Sequence, residues 1–280
     1  MGLRIVTFNI AHSSVVNLLG PWNARRALVM DVIHRARADV VCLQEVSERQ
    51  HADLIEDLRD FECFSGLASG ATRLPFMLQP AAPVLRLALG DFMYTGERCP
   101  IFLRRERFRS AASGAAEILP RSGASSTGTP HLLNGVRAED ARDAARFAFF
   151  NTHLGLLPWR AREGAGRLLD GIAGAADGRR EVLTGDFNST PRGITLRTLL
   201  FDPGTGEGRY VDAWRAARER SGPHWTFHAG FGVGGPRIDY VLVRPGTRVA
   251  SAEVILGRAG ARLASDHCAL VVELEDPAPR

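Results

Sequence analysis

Short runs of strand-forming residues in this 280-residue chain end in polar side chains instead of ordinary turn residues, and that feature constrains the fold most. Leu3 to Phe8 runs into Asn9, Asp39 to Leu43 into Gln44-Glu45, and Phe147 to Phe150 into Asn151-Thr152-His153. Glu181 to Thr184 runs into Gly185-Asp186-Phe187-Asn188, and Arg237 to Val243 carries Asp239 within it. A rigid sheet positions side chains that loops leave exposed, so layered β proteins commonly assemble their sites where strand ends meet loops. Between the first runs, Asn23 to Arg37 sets Ala27, Val29, Met30, Ile33 and Ala36 among arginines, the pattern of an amphipathic helix. Arg162 to Ala176 reads as another helix. Many strand-like runs with few helical stretches imply sheets packed on each other and covered by helices.

The length suits one domain spanning 1–280, since layered architectures often fill this range as a single unit. Surface insertions are expected at Gly66 to Gly90, which contains prolines among mixed apolar residues, and at Ser110 to Pro130, rich in Ala, Ser, Gly and Thr. With 45% hydrophobic and 24% charged residues, a sizeable core is feasible and disorder is excluded as the general state. All 35 basic residues are arginines, and the formal charge is +4. That mild basic balance favours a phosphate-bearing partner, although evenly spread arginine equally suits a solvated surface with none. Cys42, Cys63, Cys99 and Cys268 are far apart, without a CxxC pair, and read as free thiols. Met1 to Val6 enters a strand pattern at once, without a signal-peptide profile, so a cytoplasmic protein is expected. The chain has no apolar stretch of membrane-spanning length, and integral membrane association is not expected; a monomer is.

Singly, each polar strand end has a plain structural explanation: Asn9 capping a turn, Glu45 starting a helix, His153 a satisfied core histidine. The ordered set is harder to dismiss. It runs Thr7-Phe8-Asn9-Ile10, Leu43-Gln44-Glu45-Val46, Asn151-Thr152-His153-Leu154, Thr184-Gly185-Asp186-Phe187-Asn188-Ser189, Arg237-Ile238-Asp239-Tyr240-Val241 and Ser265-Asp266-His267-Cys268. In this order and over nearly the whole chain, the set resembles the endonuclease/exonuclease/phosphatase (DNase I-like) superfamily. Trp225-Thr226-Phe227-His228, followed by glycines and Arg237-Ile238-Asp239-Tyr240, resembles a block of its bacterial nuclease-like hydrolases, with Ala229 where a glycine usually stands.

The resemblance implies an α/β (α+β) four-layered sandwich, two mixed β-sheets face to face with helices outside. It also implies a Mg²⁺-dependent phosphoesterase, Mn²⁺ substituting, that attacks phosphodiesters with activated water. Nucleic acid is the implied substrate, with a small or lipid-head-group phosphoester as the alternative; a catalytically silent binding module that keeps the fold is a third reading. A phosphodiester is an anion, so attack requires its charge to be neutralised and a water to be deprotonated nearby. By resemblance Glu45 is the principal metal ligand, Asn9 its neutral neighbour and Asp266 a further carboxylate at the metal. Asp186 orients or deprotonates the water and Asn188 helps to position it or the phosphate, the pair projecting to one side if extended. His267 faces the phosphate with Asp239 fixing its tautomer, and His153 flanks the phosphate from the other side. Gly96-Glu97-Arg98-Cys99-Pro100-Ile101-Phe102 resembles the strand that brings a glutamate to the second histidine, making Glu97 the partner of His153. Trp22, Arg25 and Arg26 could reach a phosphate or base, Trp22 otherwise being a helix-start packing residue, His228 is a substrate contact or a loop histidine, and Arg73 and Phe76 offer no groove-reading device.

Overall fold

The computed structural model describes residues 2–12, 19–68, 97–119, 131–155, 161–202 and 204–276. Its first half contains β1 (Leu3–Asn9), α1 (Trp22–Ala36), β2 (Val40–Gln44), α2 (Glu48–Asp57), β3 (Phe61–Phe64), β4 (Ile101–Arg104), β5 (Phe108–Leu119) and β6 (His131–Asp140). There follow β7 (Arg146–His153), α3 (Ala161–Ala176), β8 (Arg180–Asp186), α4 (Ile194–Leu200), β9 (Val211–Asp212), α5 (Ala213–Ala216) and β10 (Glu219–Ser221). The last elements are β11 (Asp239–Val243), β12 (Val249–Ile255), β13 (Arg258–Ala259), β14 (Arg262–Leu263) and β15 (Ala269–Leu274). A seven-stranded sheet has the order β10-β12-β15-β1-β2-β4-β3, and a six-stranded sheet the order β5-β6-β7-β8-β11-β9.

Side-chain alternation along the strands builds the layers. In β1, Leu3 and Ile5 join one core cluster while Val6 and Phe8 join another. Phe147 and Phe149 of β7 face Leu3 and Ile5 across the sandwich, and Ala148 and Phe150 turn outward to helix α3. The inner cluster is therefore shared by both sheets, and the outer faces are covered by α1 and α2 on one side and by α3 and α4 on the other. Period-two strands with both faces covered give this α/β/β/α layering.

The strand runs read from the sequence are all present, but the polar residues belong to the strands themselves. Asn9, Gln44, His153 and Asp186 are the last residues of β1, β2, β7 and β8. They continue the inward-facing parity: Leu3, Ile5, Thr7 and Asn9 alternate with Val6 and Phe8. Going toward one end of the sandwich, the inner face thus changes from apolar to polar.

The structure corrects part of the insertion expected at Ser110 to Pro130, because residues 110–119 lie in β5, paired along its length with β6. Alanine, serine and glycine have weak strand preference, so composition pointed to a loop; the ladder to the ten-residue β6 overrides it. Residues 120–130 lie outside the described residues, as do 69–90 of the other expected insertion; 66–68 form no regular element. Helix α2 was not anticipated, although its signal is local: Ser47 and Gln50 form a reciprocal capping box.

Candidate active site

Register brings the polar strand ends together. His153 pairs with Asp186 across the parallel β7–β8 ladder, and Asp186 pairs with Asp239 across the antiparallel β8–β11 ladder. Three candidate side chains therefore stand in one row on the inner face. Thr152 and Gly185 are the preceding pair, and a Cβ on Gly185 would lie 2.0 Å from the Thr152 carbonyl oxygen, so only glycine permits the approach. The other sheet contributes Asn9, which pairs with Gln44 immediately before Glu45.

Two carboxylate–histidine pairs result. Glu97 Oε1 lies 2.9 Å from His153 Nδ1, and Asp239 Oδ2 lies 2.9 Å from His267 Nδ1. Both imidazoles point Nε2 toward Asp186 Oδ2, at 3.7 Å in each case. Asn9 crosses between the sheets, its Nδ2 donating to Glu45 Oε1 and to Asp186 Oδ2, each at 3.0 Å. The backbone N–H of His12 donates to Glu45 Oε2 at 3.1 Å. Asp186 and Asp239 are fully buried, whereas Glu45 and Asp266 are half-buried. Asp266 Oδ1 accepts from Ser265 Oγ at 3.3 Å, and that hydroxyl also contacts the carbonyl oxygen of Asn9 at 2.7 Å.

The structure corrects the expected extension of Asp186 through Asn188. Strand β8 ends at Asp186, and Asn188 has φ +46°, with its N–H donating to Asp186 Oδ1 at 2.9 Å. A tight side-chain-to-backbone turn, not a continued strand, sets the pair. Asn188 Nδ2 donates to the Leu154 carbonyl at 2.7 Å, which orients the amide, and lies 3.2 Å from His153 Nε2. Ala11 and Glu45 also have positive φ, +54° and +58°. Non-glycine residues in this region persist where their surroundings over-determine them, and these three positions cluster at one site.

Electrostatics follow from burial and mutual charge. Burial pulls the His267 imidazolium down, but the charges of Asp239 and Asp186 outweigh it and leave the group at about 10. Burial likewise opposes charge on His153, and the charge and hydrogen bond of Glu97, with Asp186 and Glu45, raise it to about 10. Asp186 is pushed up to about 6, first by burial and then by Asp239, against the stabilising imidazoles and the Asn188 N–H. Burial lowers His228 below the ordinary histidine range.

Several sequence candidates are placed elsewhere. Arg25 is 1% exposed and spends its guanidinium on backbone carbonyls, so it is not free to reach a substrate phosphate. Trp22 is buried and donates to Asp53 at 2.6 Å, while Arg26 is held by Asp57 and Asp53. Amphipathic packing on the outer layer explains all three better than substrate contact. His228 is 2% exposed, and its Nδ1 accepts from the Gly232 N–H at 3.1 Å, the arrangement of a loop-organising histidine. Arg73 and Phe76 lie outside the described residues.

Sequence reasoning assigned no role to the polar layer beneath the site. Gln44 Nε2 donates to Asn151 Oδ1 at 2.6 Å and to Thr7 Oγ1 at 3.0 Å, while Asn151 Nδ2 donates to the carbonyls of Leu43 and Pro100. These amides tie the two sheets together directly below Glu45 and His153. Thr226 Oγ1 accepts from the N–H groups of Ile238 and Asp239, and Arg237 pairs with buried Asp212, fixing the entry to β11. The available signal was parity: Thr7, Gln44, Asn151 and Thr184 are polar residues at inward positions of otherwise apolar strands.

The arrangement is DNase I-like, and the class it defines is that of hydrolases acting on phosphoester bonds. A sequence profile of the Endonuclease/Exonuclease/phosphatase family matches residues 6–267, and the chain belongs to that family. An endonuclease/exonuclease/phosphatase from Bacteroides vulgatus is 23% identical, with 98% of this chain and 99% of that one covered and a TM-score of 0.79. The mannosyl-6-phosphatase Bt3783 of Bacteroides thetaiotaomicron is 20% identical, covering 97% and 99%, with a TM-score of 0.74. D. rerio TDP2 complexed with a single-strand DNA product is 16% identical, covering 98% and 99%, with a TM-score of 0.69. No curated protein has matching sequence.

Proposed function

We propose that this protein is a divalent-cation-dependent phosphodiesterase that cleaves nucleic acid by attack of an activated water on phosphorus. The observation that carries the proposal is the convergence of both carboxylate–histidine pairs on Asp186, beside Glu45 and Asn9. A structural role alone gives no reason to gather so many buried ionisable groups, which are costly to desolvate.

The donor set fits a hard cation. Ligand atoms of Glu45, Glu97 and His153 lie within 4.8 Å of one another, as do those of Asp186, Asp239 and His267, and Asp239 Oδ1 is buried with no hydrogen-bond partner among the described residues. In each group one carboxylate is already hydrogen-bonded to the histidine, so both are in the first place acid–base pairs. Glu45 is the carboxylate left to hold Mg²⁺ or Mn²⁺, which prefer a few oxygen ligands and retained water, with Asn9, whose Nδ2 donates to Glu45 Oε1, as its neutral neighbour and Asp266 as a further carboxylate. When bound, the cation neutralises charge on the phosphate and lowers the cost of attack.

The chain's own residues supply the rest. Asp186, its basicity raised by burial, takes the proton of the attacking water, and Asn188 helps to place that water. The phosphorus–oxygen ester bond breaks as the new bond forms, and the departing oxygen takes one proton from one of the two charged imidazoles. His267, oriented by Asp239, and His153, oriented by Glu97, stabilise the charge that develops on the phosphate. All of these residues come from one chain, so a monomer suffices.

A polyanionic substrate is supported by the basic balance of +4 and by exposed Arg258 and Arg262 on the β13–β14 hairpin, which leads directly into Ser265-Asp266-His267. Exposed Phe231, on the glycine-rich loop after His228, offers a face on which a base can stack. The mannosyl-6-phosphatase likeness favours a second reading, a phosphatase of small phosphoesters. Free Cys42, Cys63, Cys99 and Cys268 fit a reducing, cytoplasmic setting, and no helix among the described residues is long and apolar enough to cross a membrane.

The test is turnover of plasmid DNA, single-stranded RNA, bis-p-nitrophenyl phosphate, sphingomyelin and mannose 6-phosphate with Mg²⁺, Mn²⁺ or EDTA. Cation-dependent cleavage of nucleic acid is expected. Undiminished turnover in EDTA sinks the cation mechanism, and cleavage of the monoester alone decides for the second reading.

A further inference from the structure

We propose that Arg25 is a positioning residue for the cation site, a buried clamp that fixes the main chain behind Asn9, Glu45 and Asp266. The inference rests on the cation-dependent chemistry proposed above and adds a residue that does not touch the cation or the substrate.

The guanidinium is fully buried at the start of α1 and reaches three separate stretches of backbone. Nη1 donates to the Ile10 carbonyl at 2.8 Å and to the Ala264 carbonyl at 2.5 Å, Nη2 donates to the Ala11 carbonyl at 2.9 Å, and Nε contacts the Gly20 carbonyl at 3.3 Å. Ile10 and Ala11 follow Asn9, and Ala264 precedes Ser265-Asp266-His267. One planar fork therefore joins the exit of β1 to the turn that enters β15.

The gripped segment faces the site from its other side. Ala11, at φ +54°, turns its N–H onto Asn9 Oδ1 at 3.0 Å, and the next N–H, of His12, donates to Glu45 Oε2 at 3.1 Å. The carbonyls of Ile10 and Ala11 are thus held by Arg25 while the amides of Ala11 and His12 hold the side chains of Asn9 and Glu45. Without the clamp, the left-handed Ala11 loses a main reason to persist, and both side chains lose a fixed partner. On the other arm, Ser265 Oγ bonds the Asn9 carbonyl and accepts from the His267 N–H at 3.2 Å, so the Ala264 contact bears on Asp266 and His267.

Charge gives a second reason for arginine. Among the described residues no carboxylate shares the guanidinium's hydrogen bonds, yet Asp266 and Glu45 both act on it electrostatically against the cost of burial. A lysine has the charge but one nitrogen, and it cannot spread donors over carbonyls on separate segments. Outer partners that orient ligands typically change metal affinity about 10–100-fold when removed.

The experiment is calorimetric titration of the full-length protein, freed of cations, with Mg²⁺ and Mn²⁺, for wild type, Arg25→Lys and Arg25→Met, each shown to be folded by circular dichroism. Both variants are expected to bind about 10–100-fold more weakly, with no rescue by lysine. Wild-type affinity in the folded lysine variant, or tighter binding by the methionine variant, overturns the clamp. A wild type that binds no cation sinks the cation reading itself, and this inference with it. If neither Arg25 variant folds, Gln50→Leu replaces them, because Gln50 Nε2 donates to the same Ala11 carbonyl at 2.9 Å. A several-fold loss of affinity there supports the clamp, and an unchanged affinity overturns it.

Discussion

His153 and His267 direct Nε2 at the same oxygen of Asp186, each 3.7 Å from Oδ2. They come from different strands and carry different carboxylate partners, Glu97 and Asp239, so the site is nearly symmetric about one buried carboxylate. Removing the charge at the centre should therefore harm the reaction about as much as removing a wing. Asp186→Asn is expected to lower kcat on bis-p-nitrophenyl phosphate by at least about 10²–10⁴-fold. His267→Ala should fall in the same range. Unchanged turnover of the folded Asp186→Asn protein would exclude it as the base.

Asp239→Asn separates orientation from presence. An asparagine keeps the size of the side chain but withdraws the charge that, after burial, is the main influence on His267. The imidazole should then titrate well below 10, readable by NMR of the ring nitrogens in cation-free protein. Turnover should drop about 10²–10⁴-fold. A His267 titration that does not move would show that Asp239 is not its electrostatic partner.

The protein without cation should lose stability as pH rises. His153 and His267 stand at about 10 when folded, so their contribution is complete below the unfolded value of about 6.5 and disappears as pH climbs toward 10. Asp186, raised to about 6, binds its proton more tightly folded than unfolded, so it subtracts stability between about 4 and 6. All three slopes have the same sign. Thermal unfolding should show Tm falling across this window, and saturating Mg²⁺ should reverse the fall above pH about 8. A Tm that rises with pH from 6 to 9 in EDTA would contradict the assigned shifts.

The amide pair beneath the site lends itself to a double-mutant cycle. Gln44→Leu or Asn151→Leu leaves a buried partner unsatisfied and should cost about 1–3 kcal/mol or more. The double substitution should cost less than the sum, because both orphans vanish together. Strict additivity in denaturant unfolding would mean that the 2.6 Å contact carries no coupling.

Between the sheets, Phe149 stacks on Phe147 at 5.4 Å and meets the edge of Phe108 at 5.4 Å. Phe149→Ala should cost about 3–5 kcal/mol in chemical unfolding. A loss well below that range would show the inner layer to be loosely packed.

Local pattern made much of the molecule readable. The β-rich apolar runs Leu3 to Phe8 and Phe147 to Phe150 announce strands, and the polar residues that follow announce a candidate site at their ends. The residues Asn9, Glu45, His153, Asp186, Asp239 and His267 could be named from the order of their motifs, and Glu97 from its resemblance to a strand region. Composition misled at residues 110–119, where a weak strand former is held by its neighbour's ladder. The partners of Arg25 were hidden for a similar reason. An arginine on a helix after the first strand looks free in sequence, and only the fold brings the carbonyls of residues 10, 11 and 264 around it.

Sequence by itself determined which side chains share a face of a strand, since a period of two is a property of each strand alone. It also determined that those side chains change from apolar to ionisable at one end of several strands. What only the tertiary structure decided is which of them meet: that His153, Asp186 and Asp239 fall in one row, that Asn9 bridges the sheets, and that Arg25 is a clamp. The physical reason is that ladder register and sheet-to-sheet packing are set by contacts between residues far apart in the chain, and those contacts leave no local periodicity to read.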